Sequence, residues 1–226
     1  MFCAEWSLVK KEFKLTTVIP LRCRCWHCDE CRPLRTYQLV SDAKRGDPDL
    51  FITLTSRRRP GLTPDEAAVL LAHAWRKVRA AYLRVHGPLS LEFLAVFERT
   101  KKGWPHIHIV ARCHWLDQKW LSHQMDALIG SPVVDVRRVH GKSKVAAYIS
   151  KYISKNPERF IGVKRYWRSK NYLMAPTRWA STLKAMATPW EIVRCHFKLY
   201  AEMAVGPGVS VKVGRSEAVI SWGVPP

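Results

Sequence analysis

The sequence has no long apolar run, and this absence excludes a membrane-spanning protein. No stretch of the 226 residues approaches the ~18 consecutive apolar residues that a transmembrane helix needs. The opening residues, MFCAEWSLVKKEF, also lack the positive-then-apolar layout of a secretory signal. We therefore expect no membrane association and a protein that works in a reducing cytoplasm.

Acidic residues are scarce relative to basic ones. The chain has 18 Asp and Glu against 38 Lys and Arg, which gives a formal net charge of +20. A surplus of this size favours a polyanionic partner. The basic residues are scattered over the whole chain, and the helices that carry them lack the aromatic and leucine face of a membrane-surface helix. Nucleic acid is therefore the expected partner, in preference to an acidic membrane.

The middle of the chain carries clear local signals. Residues 51–56 (FITLTS) alternate in the manner of a strand. Thr63-Pro64-Asp65-Glu66 combines an N-cap, a proline at the first helical position and a capping-box glutamate, so a helix should begin there. That helix should run to about His86 and end at Gly87-Pro88.

The following segments predict a defined order of elements. A polar turn at 100–103 joins two expected strands, and further elements follow in the order helix, strand, helix; their predicted ranges are 91–99, 105–112, 116–128, 133–139 and 142–155. The first six elements have the ferredoxin-like split βαβ order. The expected fold class is α+β, an antiparallel sheet with two helices on one face, preceded by a small Cys-rich segment.

Three consecutive segments are expected along the chain. Residues 1–46 form a basic, Cys-rich segment, 47–160 the main domain, and 161–226 a basic and aromatic C-terminal extension. Within the extension, residues 179–203 are expected to be helical and 205–226 to form a loose tail or a short hairpin.

His106-Ile107-His108 lies within a predicted strand, so both imidazoles project from the same face. Glu98 ends the preceding strand, and a hairpin turn would bring it close to His106. Two imidazoles and one carboxylate form a divalent-metal site with vacant positions, as catalysis on a phosphate requires. The alternative is that these residues are ordinary solvated strand positions.

Tyr148 and Tyr152 are four residues apart, so they share one face of the last predicted helix. Val145, Ile149 and Ile153 form an apolar stripe beside them, and Lys151 and Lys155 form a basic stripe. The ammonium groups are expected to favour phenolate over phenol and to attract a phosphodiester. Alternatively, the tyrosines pack at the boundary of the core.

These blocks, in this order, resemble the HUH endonuclease superfamily. FITLTS at 51–56 resembles its first strand motif, GWPHIHIV at 103–110 its His-hydrophobic-His metal motif, and AAYISKYISK at 146–155 its Tyr-x-x-Lys-Tyr-x-x-Lys motif. The resemblance is to the two-tyrosine replication initiators of small single-stranded DNA phages such as microviruses, and it covers about residues 25–155.

The resemblance implies the HUH nickase fold and a specific activity. Tyr148 or Tyr152 would attack a phosphate of single-stranded origin DNA, leaving a 5′-phosphotyrosine and a free 3′-hydroxyl that starts rolling-circle replication. Lys151 or Lys155 would neutralise charge on the phosphate. The metal would be Mg²⁺ or Mn²⁺. The implied partners are the single-stranded origin and host replication proteins, a helicase and a polymerase, in a bacterial cytoplasm if a phage encodes the chain.

Four cysteines crowd into nine residues, and CWHCDECR at 25–32 is also similar to a Cys-rich block of these phage proteins; the four are Cys23, Cys25, Cys28 and Cys31. Three or four of them could hold one structural Zn²⁺, with His27 or a distant cysteine completing the set. The alternative is a group of reduced thiols without metal. Cys3, Cys113 and Cys195 are expected to pack, although any one could supply a missing ligand.

Two basic stretches are candidate DNA contacts. Arg57 and Arg58 follow the first strand, and Arg165, Trp167 and Arg168 belong to an interleaved basic and aromatic run. Guanidinium groups can contact phosphates while rings stack on bases. Plain solvated faces are the alternative.

Two rival functions stay open at this point. A two-tyrosine transposase or a relaxase would use the same active-site residues. A non-catalytic nucleic-acid-binding module could use a ferredoxin-like sheet, as RRM domains do. The expected strands lack the aromatic RNA-binding signature, and the His pair has no role in such a module.

Overall fold

The computed structural model describes residues 3, 5–153, 159–173, 189–215 and 217–223. Its elements, in chain order, are β1 Ser7–Glu12, β2 Leu15–Pro20, α1 Cys31–Arg45, β3 Leu50–Thr55, α2 Pro64–His86, β4 Glu92–Arg99, β5 Pro105–Arg112, α3 Gln118–Ile129, β6 Val134–Arg138, α4 Lys142–Ile153, β7 Tyr166–Arg168, β8 Glu191–Val193, α5 Phe197–Met203, β9 Val209–Val213 and β10 Ala218–Trp222. Contacts divide the chain into two compact units. The end unit comprises Met1–Arg35 and Pro176–Pro226, and the central unit comprises Thr36–Ala175.

The central unit contains a five-stranded antiparallel sheet with the order β6-β3-β5-β4-β7. Its first six elements follow the predicted order, strand, helix, strand, strand, helix, strand. The α+β class and the antiparallel sheet are therefore confirmed. The edge strand β7 was not predicted, because its three residues are too few to show a periodicity.

One face of this sheet is covered by α2 and α3. Alternate residues of β3, namely Leu50, Ile52 and Leu54, are fully buried against this layer. In the neighbouring strand, Ile107 and Ile109 point the same way, since they lie opposite Leu54 and Ile52. Each large apolar side chain buried here stabilises the fold by about 1.5–3 kcal/mol.

The ends of α2 are set by local chemistry. The Thr63 side chain accepts from the Glu66 amide, and the Glu66 carboxylate accepts from the Thr63 amide at 2.9 Å, which completes the capping box. At the other end, the Gly87 amide bonds the Leu83 carbonyl at a φ of 87°, which favours glycine. The predicted beginning and end of this helix are confirmed.

The opposite face of the sheet receives α4, which contacts β4 and β5. Its buried residues are Val145 and Ile149, two members of the predicted apolar stripe. The side chain of the third, Ile153, and the predicted helical end at Lys155 lie outside the described residues.

The end unit contains a second antiparallel sheet, with the order β8-β1-β2-β10-β9. Helix α5 packs on it through Phe197 and Ala201, which share a small core with Val9, Val18 and Ile220. The sequence analysis did not predict this sheet. Its strands come from both ends of the chain, so the contacts group residues differently from the three consecutive segments expected.

The helix expected over residues 179–203 is corrected. In the described part of that range, residues 191–193 form β8 and only 197–203 are helical, because Ser7, Leu8 and Val9 provide a strand partner for 191–193. The hairpin expected near the C-terminus is confirmed as the β9–β10 pair. None of the described helices combines the length and the apolar character that a bilayer crossing requires.

Candidate active site and metal centres

The β4–β5 hairpin builds the first cluster. Glu98 lies directly opposite His106 in the antiparallel register, as the predicted turn requires. His108 projects from the same face two residues further along β5. The potential ligand atoms of Glu98, His106 and His108 lie within 4.8 Å of one another, and we call these residues the Glu-His-His cluster.

His108 is the centre of the hydrogen-bond network. Its Nε2 lies 2.8 Å from Glu98 Oε2, and its Nδ1 lies 3.2 Å from the Tyr148 hydroxyl. Thr53 Oγ1 lies 3.3 Å from the same Nδ1 and 3.0 Å from the Tyr148 hydroxyl. The imidazole therefore connects the carboxylate on one side with a phenol on the other.

Both predicted tyrosines contact this network from α4. The Tyr152 ring stacks on His108 with centroids 3.5 Å apart, and the two tyrosine rings are 4.8 Å apart. The Tyr148 ring stacks on Phe51 at 4.0 Å. Because Val145 and Ile149 bury the adjacent stripe of the helix, the tyrosines are directed onto the sheet face that carries the histidines.

Burial sets the direction of two pKa shifts. It lowers the pKa of His106, aided by the neighbouring His108 and opposed by Glu98, which favours the neutral imidazole that binds metals. Burial also raises the pKa of Tyr148 well above its ordinary value, although the hydrogen bond from Thr53 acts in the other direction. The expectation that ammonium groups would favour the phenolate is therefore wrong for Tyr148 in the protein alone.

The two lysines expected beside the tyrosines have different standings. Lys151 is exposed on α4, and its Nζ lies 5.7 Å from the centroid of the Tyr152 ring. Lys155 lies outside the described residues. Lys151 is therefore a cation beside the tyrosine pair.

Several residues of this site carry no sequence signal of their own. Phe51 and Thr53 belong to β3, where alternation predicted only that they face away from the core. Asp135 and Arg137 lie opposite Thr53 and Phe51 on β6. They were missed because only the strand register places them on the site face.

The second cluster lies in the end unit and contains Cys3, Cys23, Cys28 and Cys31, whose sulfurs lie within 4.8 Å of one another. The Cys23–Cys31 separation is 3.7 Å, and Cys3 lies 2.8 Å from Cys28 and 3.4 Å from Cys31. Four sulfurs around one zinc lie roughly 3.8 Å apart, given Zn–S bonds of ~2.3 Å. The cluster is thus compatible with a metal ion.

The composition of this set corrects the prediction in one position. Cys25 lies outside the group, and its amide donates to Cys23 Sγ at 3.4 Å, while Cys3 takes the fourth place. The hydrogen bond from Cys3 lowers the pKa of Cys28 to about 7. A thiol with that pKa is deprotonated readily, as metal binding requires.

The predicted DNA contacts fall into two groups. Arg57, Arg58 and Arg168 are exposed. The guanidinium of Arg58 lies over the Trp104 ring at 5.5 Å, next to the turn that precedes His106, and sequence reasoning did not single out this indole. Trp167 packs against the core beside Phe97, and Arg165 is buried, so the expected surface contacts are corrected for these two residues.

Comparison with known proteins gives one match. Residues 49–157, just under half of the chain, match the model of a family described as a replication-associated protein of the ORF2 type. No curated protein and no solved structure matches the chain. The matched residues include the Glu-His-His cluster and both tyrosines. The chain is therefore similar to replication-associated proteins over the segment that carries the candidate site, which indicates a role in replication initiation.

Proposed function

We propose that the protein is a metal-dependent nickase that initiates rolling-circle replication by tyrosine attack on single-stranded origin DNA. One observation carries the proposal: two tyrosines of one helix contact the imidazole of His108, which also belongs to the Glu-His-His cluster. A packing role would require neither two phenols at a potential metal site nor a site on the sheet face away from the main core.

The donor set fits a catalytic divalent cation. Two imidazole nitrogens and one carboxylate oxygen within 4.8 Å of one another leave coordination positions for substrate. A mixed nitrogen and oxygen set suits Mn²⁺ and tolerates Mg²⁺. When bound, the cation would supply Lewis-acid stabilisation of charge on a phosphate oxygen.

The residues of the chain perform the remaining steps. The attacking phenol, from Tyr148 or Tyr152, loses its proton as its oxygen bonds to phosphorus. The bond from phosphorus to the 3′-oxygen breaks, and that oxygen takes up a proton and becomes the free 3′-hydroxyl. The phosphate stays linked to the tyrosine through a 5′-phosphotyrosine bond. Lys151 is close enough to the Tyr152 ring to offset charge there, and Lys155 is proposed for the same role.

The fold and the family match support this assignment. The strand order β6-β3-β5-β4 agrees with the ferredoxin-like arrangement of an HUH nickase. The similarity to replication-associated proteins favours an initiator over a transposase or a relaxase. A non-catalytic module gives the Glu-His-His cluster no role, and α4 contacts the strands whose exposed face such a module would use.

The proposal extends to the rest of the protein. One structural Zn²⁺ is proposed at Cys3, Cys23, Cys28 and Cys31. The proposed partners are single-stranded origin DNA and host replication proteins, a helicase and a polymerase, in the cytoplasm. Arg57, Arg58 and Arg168 are the exposed cations proposed to contact the strand.

The decisive experiment is incubation with circular single-stranded DNA and Mn²⁺, followed by denaturing electrophoresis. We expect a covalent protein–DNA adduct that requires the cation. The His106→Ala/His108→Ala double variant should still bind DNA and form no adduct. Equal adduct formation without a divalent cation, or undiminished cleavage by the double variant, would contradict the metal assignment. No adduct with any single-stranded substrate would contradict the proposed function.

A further inference from the structure

The edge strand β6 adds two charged residues to the face that carries the tyrosines. Asp135 lies directly opposite Thr53, and Arg137 lies directly opposite Phe51. Side chains opposite each other in an antiparallel pair share a face of the sheet. Thr53 hydrogen-bonds the Tyr148 hydroxyl at 3.0 Å, and Phe51 stacks on the Tyr148 ring. Asp135 and Arg137 therefore flank the two residues that contact this tyrosine on β3.

Arg137 is held by Asp135 but stays open to solvent. Its Nε lies 3.0 Å from Asp135 Oδ1 and 2.8 Å from Oδ2, while 74% of its side chain is exposed. No described residue accepts a hydrogen bond from its terminal Nη groups. An exposed ion pair of this kind contributes only about 0–1 kcal/mol to stability. The pair is therefore better explained by what it presents to solvent than by what it adds to the fold.

The guanidinium is electrostatically coupled to both tyrosines. Asp135 is the main cause that raises the pKa of Arg137, and Tyr148 and Tyr152 act in the same direction. A permanent cation with free donors beside two phenols matches the planar geometry of a phosphate, which an arginine fork binds in a bidentate manner. One N–H group is used to fix the orientation, so less side-chain entropy is lost when an anion binds.

We propose that Arg137 forms a phosphate-binding site on β6, oriented by Asp135, which holds a DNA phosphate next to the tyrosine pair. This inference rests on the proposed function for the identity of its ligand, a phosphodiester of a single strand. Arg137 acts as a positioning residue for the strand and for the phosphate presented to Tyr148 and Tyr152. It lies outside the Glu-His-His cluster and belongs to none of the recognised motifs.

The same strand supplies a matched control. Arg138 is the next residue along, carries the same charge and is also exposed, but it lies opposite Leu50 and projects from the other face. Its guanidinium lies over the Trp115 ring at 5.4 Å. Replacing either arginine with alanine removes one positive charge from β6, so the two variants differ in which face loses it. Surface substitutions of this kind usually change stability by less than about 0.5 kcal/mol.

The test measures binding of a short single-stranded oligonucleotide, without divalent cation, over a range of salt concentrations. Each phosphate contact contributes roughly 0.7 to the slope of log K against log salt concentration. We expect Arg137→Ala to lower the slope by about that amount, and Arg138→Ala to leave it unchanged. Equal slopes for wild type and Arg137→Ala would overturn the proposal, as would an equal decrease for Arg138→Ala.

A second measurement separates positioning from charge alone. With Mn²⁺ present, the rate of adduct formation at saturating oligonucleotide should fall roughly tenfold or more in Arg137→Ala, the effect expected when a charged hydrogen bond is lost. Arg137→Lys should recover the salt slope but only part of the rate, because an ammonium lacks the bidentate fork. Full recovery of the rate by lysine would refute the positioning role. A wild-type protein without an adduct would refute the proposed function, while the salt slopes would still test Arg137.

Discussion

The tyrosine pair offers the most direct test of the proposed chemistry, because its hydroxyls can be removed with little structural cost. Tyr148→Phe eliminates hydrogen bonds to Thr53 at 3.0 Å and to His108 at 3.2 Å. Thr53 Oγ1 and His108 Nδ1 lie 3.3 Å apart, so they keep each other as partners and neither is left unsatisfied. Since stacking on Phe51 needs only the ring, the expected loss of stability is about 1 kcal/mol.

The chemical effect should be much larger than this structural one. If the two phenols alternate, Tyr148→Phe and Tyr152→Phe should each retain some cleavage of a short single-stranded substrate. Each single variant should fail to release closed circles in a full replication assay, because the second transfer needs the missing hydroxyl. The double variant should form no adduct at all, since both nucleophiles are absent.

The assay combines covalent capture with mapping of the linked peptide. Single-turnover reactions of the four proteins with a labelled oligonucleotide and Mn²⁺ would be resolved on a denaturing gel, with Tyr37→Phe as a control at an exposed tyrosine of α1. A thermal melt should show each single variant within a few degrees of wild type. Undiminished adduct in the double variant, or a DNA-linked peptide containing Tyr166, would refute the assignment of the nucleophiles.

Three further outcomes are expected. The purified protein should carry about one equivalent of zinc by elemental analysis, because one four-thiolate set is present; Cys3→Ser should lose it, whereas Cys25→Ser should retain it, and the reverse pattern would contradict the ligand set. Glu98→Gln should reduce Mn²⁺-dependent cleavage or shift the metal preference while DNA affinity stays nearly unchanged, since binding rests on dispersed cations, and a matching loss of affinity would count against this role. Thr63→Ala should lower the free energy of unfolding of the central unit by about 1 kcal/mol in a denaturant titration through loss of the capping box, and an unchanged midpoint would contradict it.

The elements that the sequence predicted well are those with local causes. The first and last residues of α2 follow from a capping box and from a glycine with positive φ, both of which are visible within a few residues. The histidine pair and its glutamate follow from strand alternation and one short hairpin. In each case the interacting residues are close in the sequence, so spacing alone carries the geometry.

The features that the sequence did not predict depend on distant pairing. The sheet of the end unit joins strands near Ser7 with strands beyond residue 190, and no local pattern specifies such partners. The same holds for the choice of Cys3 over Cys25, because a short spacing identifies a set of thiols but does not determine which sulfurs converge. Arg137 could be recognised only after the register of β6 against β3 was known.

The core and the candidate site are two consequences of one alternation, so they cannot vary independently. Ile107 and Ile109 point into the main core, and this alone directs His106 and His108 to the opposite face. A shift of β5 by one residue would bury both imidazoles among apolar side chains and expose both isoleucines. The free energy of burying Ile107 and its neighbours therefore also holds the imidazoles in place. On this view the chemistry depends on the same contacts that stabilise the central unit, which is why a site on strands can be more rigid than one on loops.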